Sequence, residues 1–317
     1  MRTAMTSKIC VLGSINMDVA VRVDRFPQAG ETITGLACEF MPGGKGANQA
    51  IAAANMGVTV DLIGSLGDDE FGKLLRNHLV ASGVNTDAVV QTESSSGTAI
   101  VMVNGEGNNQ IVVIPGSNTL LQRKTIDEYL DRQGSAVRYL VSQFEVPLDL
   151  VSYAFGKAKS LRATTVLNPS PMQVIPPELI EQTDLFVLNA LELAQVVGLA
   201  NFICSPDEAA QMAFRWQQKI GQKTVVVTLG ENGLAAVHGD QVIKQPSQKV
   251  DHVEDTTGAG DCFCGCLVAF LHNGYSFNES LALAQKAAAY SVQRKGASPS
   301  FPRLESLGIN ETKGKTS

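Results

Sequence analysis

Short runs of consecutive apolar residues alternate with segments of helical period along most of the chain. The apolar runs are typical of strands buried on both faces, and they occur at residues 9–13 (ICVLG), 58–64, 139–144, 165–168, 185–188 and 224–228. Segments with helical patterning lie between them, among them residues 46–56, 70–82 and 206–220. Strands that alternate with helices predict an α/β fold with a mostly parallel central sheet.

Two segments depart from this alternation. Residues 18–40 have no helical period and contain the strand-like piece VAVRV, and residues 98–114 (TAIVMVNGEGNNQIVVI) predict a β-hairpin around GEGNN. We expect a small second sheet, a lid inserted at about residues 15–42 and 96–115 of one domain spanning residues 1–317. The exposed strand edges of such a lid favour a homodimer formed through it. The polar residues 305–317 are expected to form a flexible tail.

The composition is that of an ordinary globular protein. Of 317 residues, 44% are hydrophobic and 18% are charged, and the net charge of −6 disfavours nucleic acid as the main partner. No apolar stretch reaches the roughly 18 residues of a membrane span. The first residues also lack the apolar core of a signal peptide. We therefore expect a cytoplasmic protein without a membrane partner.

The six cysteines are expected to be free thiols in a reducing compartment. Three of them, Cys262, Cys264 and Cys266, form the stretch CFCGC. Their spacing does not match a paired C-x-x-C metal site, and residues two apart on a helix point in different directions. We interpret them as small buried helix residues.

Polar residues follow the predicted strands, where open α/β sheets bind ligands. GSINMD follows the first strand and offers Asn16 and Asp18, which can hydrogen-bond neighbouring hydroxyls of a sugar but are also common turn residues. PGGKGANQA, at residues 42–50, places three glycines around Lys45 before a helix whose first N–H groups are free to meet a ligand. It is neither a P-loop nor a G-x-G-x-x-G fingerprint.

Two later loops have alternative explanations. NALE places Asn189 and Glu192 three residues apart at a predicted helix start, where they can face one spot near the strand ends. The same pair can also form a capping box. TLGENG, at residues 228–233, is either a glycine-rich loop beneath a nucleotide or an ordinary hairpin turn.

The stretch DTTGAGD, at residues 255–261, presents consecutive backbone N–H groups at a predicted helix start. Such a terminus favours anions and can stabilise the charge of a transferring phosphoryl group. Asp261 then lies where it can accept the proton of an attacking hydroxyl, or it simply caps the helix, as aspartates commonly do. The local sequence leaves both interpretations open.

Together, GGKGANQA in the first fifth of the chain and DTTGAGD in its last quarter resemble the two signatures of the ribokinase-like (pfkB) carbohydrate kinase family, in the expected order and spacing. The resemblance covers nearly the whole chain and extends to NPSP (168–171) and RKGASPS (294–300). It implies a three-layer α/β/α fold with a small β-sheet lid. It also implies phosphoryl transfer from ATP to the 5-hydroxyl of a pentose, with Mg²⁺ and an activating monovalent cation, usually K⁺.

The resemblance further implies roles for individual residues. Asp261 corresponds to the catalytic base, beside an anion hole made by the amides of Gly258, Ala259 and Gly260. The sugar site corresponds to Asn16, Asp18, Gly44, Lys45, Asn48, Glu145 and Asp261. The ATP site corresponds to Asn189, Thr228, Gly230, Gly233, Gly260 and Gln285. Glu192 corresponds to an acidic residue that helps to organise Mg²⁺, and the potassium ligands correspond to Asp255, Thr257, Ser291, Arg294, Gly296 and Ser300.

The chain departs from the family pattern at positions 190 and 285. Ala190 replaces the first of two acidic residues that many members carry after Asn189, and Gln285 replaces a His or Asn that is common near the adenine. Asp18 favours ribose, because its carboxylate can bind the 2- and 3-hydroxyls together, and 2-deoxyribose or another furanose or nucleoside is the alternative. A non-catalytic binding protein is disfavoured by the intact Asp261. A dinucleotide-dependent oxidoreductase lacks its glycine fingerprint here.

Overall fold

The protein is described by a computed structural model that covers residues 7–199, 205–221 and 223–309. Its strands are β1 (Lys8–Leu12), β2 (Asn16–Arg22), β3 (Ala37–Gly43), β4 (Val60–Gly67), β5 (Val84–Thr92), β6 (Gly97–Val103), β7 (Asn109–Ile114), β8 (Val137–Gln143), β9 (Thr164–Asn168), β10 (Leu185–Asn189), β11 (Thr224–Thr228), β12 (Leu234–His238) and β13 (Gln241–Gln245). Its α-helices are α1 (Lys45–Ala54), α2 (Glu70–Ala81), α3 (Arg123–Gln133), α4 (Leu148–Ser160), α5 (Pro177–Gln182), α6 (Ala190–Val196), α7 (Pro206–Ile220), α8 (Ala259–His272) and α9 (Phe277–Ser291).

A nine-stranded sheet forms the centre of the molecule, in the order β13-β12-β11-β10-β9-β8-β1-β4-β5. Neighbouring strands from β11 to β5 run parallel. The last two strands, β12 and β13, are added antiparallel at one edge. The predicted mostly parallel sheet is confirmed.

Both faces of this sheet are buried. In β1, Ile9 and Val11 pack in one hydrophobic cluster with α1, α2, α8 and α9, whereas Cys10 and Leu12 pack in a second cluster with α3 to α7. Because successive side chains of a strand point to opposite faces, this alternation gives a three-layer α/β/α arrangement. It also explains why the strands are continuous apolar runs in the sequence.

The remaining four strands form a second sheet in the order β3-β2-β6-β7. β2 runs antiparallel to β3 and parallel to β6, and β6 and β7 form the hairpin predicted around GEGNN. All six residues of β7 are exposed. The small second sheet therefore lies at the two segments where the sequence predicted it.

Capping explains why some element bounds agree so closely with the sequence. The helix predicted at residues 206–220 is α7, which begins after Ser205, whose hydroxyl accepts a hydrogen bond from Glu208 N, and ends at the left-handed Gly221. Elsewhere the bounds shift by a few residues. The strand expected at residues 58–64, for example, is β4 (Val60–Gly67).

The segment expected to form a flexible tail, residues 305–317, begins with residues that pack against the body of the protein. Residues Leu304–Leu307 form a short 3-10 helix, in which Leu307 is buried and Leu304 N donates to Asn55 O at 3.0 Å. This anchoring holds the start of the segment against α1, and residues 310–317 lie outside the described residues. In the part of the chain that the structure describes, no helix combines the length and apolarity that crossing a membrane requires.

Candidate active site

Polar side chains gather at the carboxyl ends of adjacent strands of the central sheet. Asn168, Asn189 and Thr228 are the last residues of β9, β10 and β11, and Glu145 follows the end of β8 by two residues. Ligands of open α/β sheets bind beyond these ends. This edge of the sheet is therefore the candidate site.

Two adjoining cavities open at this edge. The small cavity measures about 220 Å³ and is lined by Lys45, Asn168, Ser170, Val187, Leu188, Asn189, Glu192, Thr228, Gly258, Gly260 and Asp261. The large cavity measures about 620 Å³ and lies between the TLGENG loop, α8 and α9. Both are lined by Thr228 and Gly260, so the two volumes meet at these residues.

Asp261 lies in the first turn of α8 but does not cap that helix. Its carboxylate is 7% exposed, and no side chain caps the start of α8 among the described residues. Oδ2 accepts a hydrogen bond from Asn48 Nδ2 and Oδ1 accepts one from Gln49 Nε2, both at 3.0 Å. The capping interpretation of Asp261 is therefore wrong, because α1 and not α8 supplies its hydrogen-bond donors.

The N–H groups at the start of α8 are only partly those expected from the sequence. Gly258 adopts a left-handed conformation with φ 74°, and Ala259 N donates to Thr256 O at 3.2 Å. Within the described ranges, the N–H groups of Gly258, Gly260 and Asp261 donate no hydrogen bond. These three amides form the free donor set at the helix end, where negative charge is favoured.

Lys45 is the cation of the small cavity. Asp261 makes the largest contribution to raising the pKa of Lys45, burial opposes it, and Glu145, Glu192 and Asp18 raise it further. The ammonium group therefore stays protonated among four carboxylates.

The orientation of the Asn16 side-chain amide is fixed by the neighbouring Asn118. Asn118, only 1% exposed, accepts a hydrogen bond from Ile15 N at 3.0 Å through Oδ1, which turns its Nδ2 toward Asn16 Oδ1 at 2.7 Å. Asn16 Nδ2 is thereby left as a donor with no acceptor among the described residues. Gly44, with φ 91°, packs so closely that a Cβ there would lie 2.7 Å from Asn16 N.

Asp18 follows Asn16 on the same face of β2, since side chains alternate along a strand. Burial raises the pKa of Asp18 to about 7, repulsion from Glu145 and Asp261 adds to the effect, and Lys45 opposes it. A Cβ on Gly43 would overlap the Asp18 carboxylate. The neighbouring strand β3 therefore has room for this carboxylate only because residue 43 is a glycine.

Glu145 connects the loop after β1 with the start of α1. Its Oε2 accepts hydrogen bonds from Ser14 Oγ at 2.5 Å and from Lys45 N at 3.2 Å. In the described part of the chain Oε1 accepts none. The structure thus brings Glu145 to the start of the GGKGANQA helix.

The NALE motif is both a capping box and a wall of the small cavity. Asn189 Oδ1 accepts from Glu192 N at 2.8 Å, and Glu192 Oε2 accepts from Asn189 N at 2.9 Å. Burial raises the pKa of Glu192, against hydrogen bonds from Asn189 and Ser170 and the charge of Lys45. The two interpretations of this motif are therefore compatible.

The TLGENG motif forms the hairpin and also borders a cavity. It joins the antiparallel strands β11 and β12 as a hairpin, and Thr228, Gly230 and Gly233 line the large cavity. On the opposite wall, Gln285 Nε2 donates to Gln245 Oε1 at 2.9 Å, so its Oε1 remains available to the cavity. The other wall residues are largely apolar, including Val250, Val253, Phe263, Ala288 and Val292.

The residues expected to hold potassium come from two loops that meet. Asp255 accepts from Thr257 N and Gly296 N, both at 2.9 Å. Burial acts to raise the pKa of Asp255, but a hydrogen bond from the Thr257 hydroxyl, together with those from the two N–H groups, outweighs it and lowers the pKa. The hydroxyls of Ser291 and Ser300 instead donate to backbone carbonyls of Ala288 and Ala297. The Arg294 guanidinium stacks on Tyr290, 3.5 Å from the ring centroid.

Comparison with known proteins decides the family of the chain. Residues 6–304 match the pfkB family carbohydrate kinase. The chain belongs to the pfkB family of carbohydrate kinases. Its phosphotransferase chemistry agrees with the anion-favouring helix start and the carboxylate beside it.

Several pfkB-family relatives align over the whole length. A ribokinase from Staphylococcus aureus (strain COL) is 33% identical over 308 residues, which cover 96% of this chain and 99% of the relative. A deoxyribokinase from Salmonella typhi is 32% identical over 309 residues, again covering 96% and 99%. The solved Arabidopsis thaliana ribokinase, complexed with ribose and ATP, superimposes with a TM-score of 0.87 at 30% identity, covering 96% of this chain and 98% of that one.

The structure adds residues to this pfkB-family site that the sequence interpretation did not single out. Gln49 lies inside the quoted GGKGANQA motif, one position after Asn48, and its contact with Asp261 is long-range. Asn118 and Gln143 carry no local signal, because their hydrogen bonds join them to residues about 100 positions away. Such partners become visible only when the chain is folded.

The CFCGC stretch has the structural role expected of it. Cys262, Cys264 and Cys266 are fully buried in α8, and burial is the largest cause of the raised pKa of Cys264. Cys266 Sγ lies 3.7 Å from Ala52 O of α1. These small side chains let α8 pack closely on the helix that carries Asn48.

Proposed function

We propose that this protein transfers the γ-phosphoryl group of ATP to the 5-hydroxyl of D-ribose, giving ribose 5-phosphate and ADP. The observation that carries the proposal is the Asp261 carboxylate. It is close enough to Asp18 to raise the pKa of that residue, it lies in the turn that carries the free N–H groups of α8, and it does not cap its own helix. Such a carboxylate is suited to accept a proton.

In the proposed step, the oxygen of the 5-hydroxyl attacks the γ-phosphorus and the bond to the β-phosphate oxygen breaks. The hydroxyl proton passes to Asp261. The N–H groups of Gly258, Gly260 and Asp261 stabilise charge on the transferring group, and Lys45 adds a fixed positive charge beside it. Because phosphoryl transfer depends mainly on positioning and electrostatics, these groups suffice as the chain's own contribution.

Unused hydrogen-bonding groups support a polyhydroxyl substrate. Asn48 Oδ1 is a buried acceptor with no partner among the described residues, and leaving such an atom unpaired is costly. Asn16 offers a free donor, and Asp18 accepts no hydrogen bond within the described ranges. Donors and acceptors placed side by side match sugar hydroxyls, which both donate and accept.

We place ATP in the large cavity, with its base among the apolar residues and its phosphates reaching the small cavity through Thr228 and Gly260. Glu192, a buried carboxylate beside Lys45, fits Mg²⁺, because Mg²⁺ sites in kinases use one or two carboxylates with phosphates and water. When bound, Mg²⁺ neutralises phosphate charge. The oxygens around Asp255 and the loop at residues 294–300 fit K⁺, a cation that would hold the two loops together beside α8.

The small sheet is proposed to act as a lid that closes over the sugar and excludes water, which discourages ATP hydrolysis. We also propose that two copies associate through this sheet, because β7 is an exposed edge strand with four consecutive aliphatic residues, Ile111–Ile114.

The described cysteines are all free thiols, which supports the cytoplasm as the place of action.

The alternative substrate is 2-deoxyribose. The resemblance to a deoxyribokinase at 32% identity, close to that to the ribokinases, keeps it open. Asp18 favours ribose, because a carboxylate can accept hydrogen bonds from two neighbouring hydroxyls and 2-deoxyribose has lost one of them.

A substrate panel tests the proposal. ADP release is measured with ribose, 2-deoxyribose, fructose, nucleosides and no sugar, and the phosphorylated position is identified by NMR. We expect the highest kcat/KM with ribose and a product phosphorylated at the 5-hydroxyl. The Asp261→Asn variant should bind ribose but lose about 10²–10⁴-fold in kcat. Near-normal turnover of this variant, or a panel in which no sugar stimulates ADP release, would contradict the proposal.

A further inference from the structure

Gln49 is a fully buried amide in direct contact with Asp261. Its Nε2 donates to Asp261 Oδ1 at 3.0 Å and lies 3.1 Å from Asn168 Oδ1. Its Oε1 accepts from Gln143 Nε2 at 2.6 Å. Gln49 and Gln143 are both 0% exposed. Residues of β8 and β9 thus hold the Gln49 amide from two sides, and Gln49 of α1 alone passes on to Asp261 Oδ1.

The orientation of this chain of amides follows from its ends. An ionised carboxylate only accepts hydrogen bonds, so Gln49 must turn Nε2 toward Asp261 and Oε1 away from it. Gln143 faces that Oε1 with its own Nε2. A side chain at Gly13 would overlap Gln143 Oε1, so the close approach of the loop after β1 keeps Gln143 in place.

A buried glutamine is most simply explained as a satisfied polar group in the core. Two features go beyond that explanation. An aspartate in the first helical turn is well placed to bond to the free N–H groups of its own helix, yet the described structure shows no such bond from Asp261. The groups that turn the carboxylate away are Asn48 and Gln49, successive residues of α1.

We propose that Gln49 is a positioning residue for the catalytic base, held in its orientation by Gln143. By bonding Oδ1, it keeps the carboxylate directed toward the sugar site and leaves the N–H groups at the start of α8 free for the transferring phosphoryl group. This role rests on the proposed function, because it presumes that Asp261 accepts the proton of the substrate. Gln49 itself touches neither the sugar nor ATP in this arrangement.

The test is the Gln49→Met variant, which keeps a similar volume but removes the donor. We expect kcat to fall about tenfold or more, because the base is no longer fixed, with KM for ribose changed less than about threefold. A loss of kcat with little change in KM separates a misplaced base from a weakened sugar site. The charged groups that act on Asp261, namely Lys45, Asp18 and Glu192, are unchanged in the variant.

The matched control is Gln217→Met. Gln217 is also 0% exposed and donates to Gly239 O at 2.9 Å, on α7 and away from the site. It should lower Tm but leave kcat and the KM for ribose as in the wild type. If Gln49→Met behaves like Gln217→Met, with a lower Tm alone, the inference is wrong.

A second variant covers the case in which Gln49→Met does not fold. Gln143→Met leaves Gln49 in place but frees it to rotate, so kcat should fall by a smaller factor than in Gln49→Met, again with little change in KM. Wild-type values in a folded Gln143→Met enzyme would overturn the inference. A wild-type protein that releases no ADP with any sugar refutes the proposed function itself, whereas an active wild type with unaffected variants refutes this inference alone.

Discussion

Asp18 lies partly buried beside Glu145 and Asp261, and its raised pKa of about 7 has consequences for both binding and stability. If Asp18 accepts hydrogen bonds from the sugar, it must be ionised to do so at both oxygens. Its protonation therefore competes with sugar binding near neutral pH.

We accordingly expect ribose affinity to weaken as the pH falls. With a pKa of about 7, the ionised fraction drops about tenfold between pH 8 and pH 6, and the Kd for ribose should rise by a similar factor. Isothermal titration calorimetry without nucleotide measures this directly. A Kd that does not change over this range would show that Asp18 is not the acceptor.

Asp18→Asn is the control for that prediction. It should bind ribose weakly at pH 8 and show no pH dependence from this position. Because the folded-state pKa is raised, the stabilising contribution of Asp18 is complete below its unfolded pKa and is lost as the pH rises through about 7. The Tm of Asp18→Asn relative to the wild type should therefore be higher at pH 8 than at pH 4.

At the residue scale, the sequence predicted which side chains meet but not how their atoms are used. The family resemblance implies that Asn48 and Glu145 belong to the sugar site, and the structure places Asn48 against Asp261 and Glu145 against Lys45. The orientation of each amide is set by partners distant in sequence, such as Asn118 for Asn16. No local pattern encodes those pairings.

At the element scale, the packing of α1 on α8 positions the Asp261 carboxylate, the proposed catalytic base. A Cβ added at Gly265 would overlap Gln49 O and lie 2.8 Å from Ala52 Cβ. Close backbone approach is possible only because residue 265 is a glycine. The two helices thereby bring Asn48 and Gln49 within hydrogen-bond distance of Asp261.

Gly265→Ala should force α1 and α8 apart. We expect a loss of about 1–3 kcal/mol in unfolding free energy from overpacking, together with a lower kcat as the donors move away from Asp261. The control is Gly156→Ala in α4, where the added Cβ meets only the flexible end of Gln182 at 2.9 Å. Both variants are tested by chemical denaturation and by measurement of kcat. A Gly265→Ala enzyme that matched the wild type in stability and in kcat would contradict the expectation.

The elements themselves were predictable where one physical signal dominated. β11 lies at the bounds expected from its run of β-branched residues, and α7 has a Ser cap and a terminal Gly. The sequence interpretation did not single out the antiparallel strands β12 and β13. Their pattern is weak, since β12 is short and alanine-rich and β13 is largely polar, and their pairing depends on β11 beside them.

At the scale of the whole molecule, the small sheet is joined to the body next to the site. Lys295, in the loop with Gly296 that contacts Asp255, forms an ion pair with Glu39 of β3, with Nζ 2.6 Å from Oε2. The pair is exposed and contributes little stability by itself. It nevertheless connects the sheet that borders the proposed sugar site with the loop proposed to hold the monovalent cation.

The outer edge of that sheet is the strongest candidate for self-association. Ile111, Val112, Val113 and Ile114 are 41–59% exposed on a strand whose far side has no neighbour in the described sheet. Natural proteins seldom leave such an edge uncovered. Burying it against a second copy would also stiffen the sheet from which Asn16 and Asp18 project.

We therefore expect light scattering after size exclusion to give a dimer mass for the wild type. Val112→Glu should give a monomer, because a buried, unpaired carboxylate on each chain is costly. Val242→Glu is the matched control, since Val242 is 47% exposed on β13, the edge strand of the central sheet, and it should leave the dimer intact. A monomeric wild type would show that this interface does not exist, and a Val112→Glu variant that still elutes as a dimer would place the interface elsewhere. In either case the small sheet would have to order Asn16 and Asp18 without a partner.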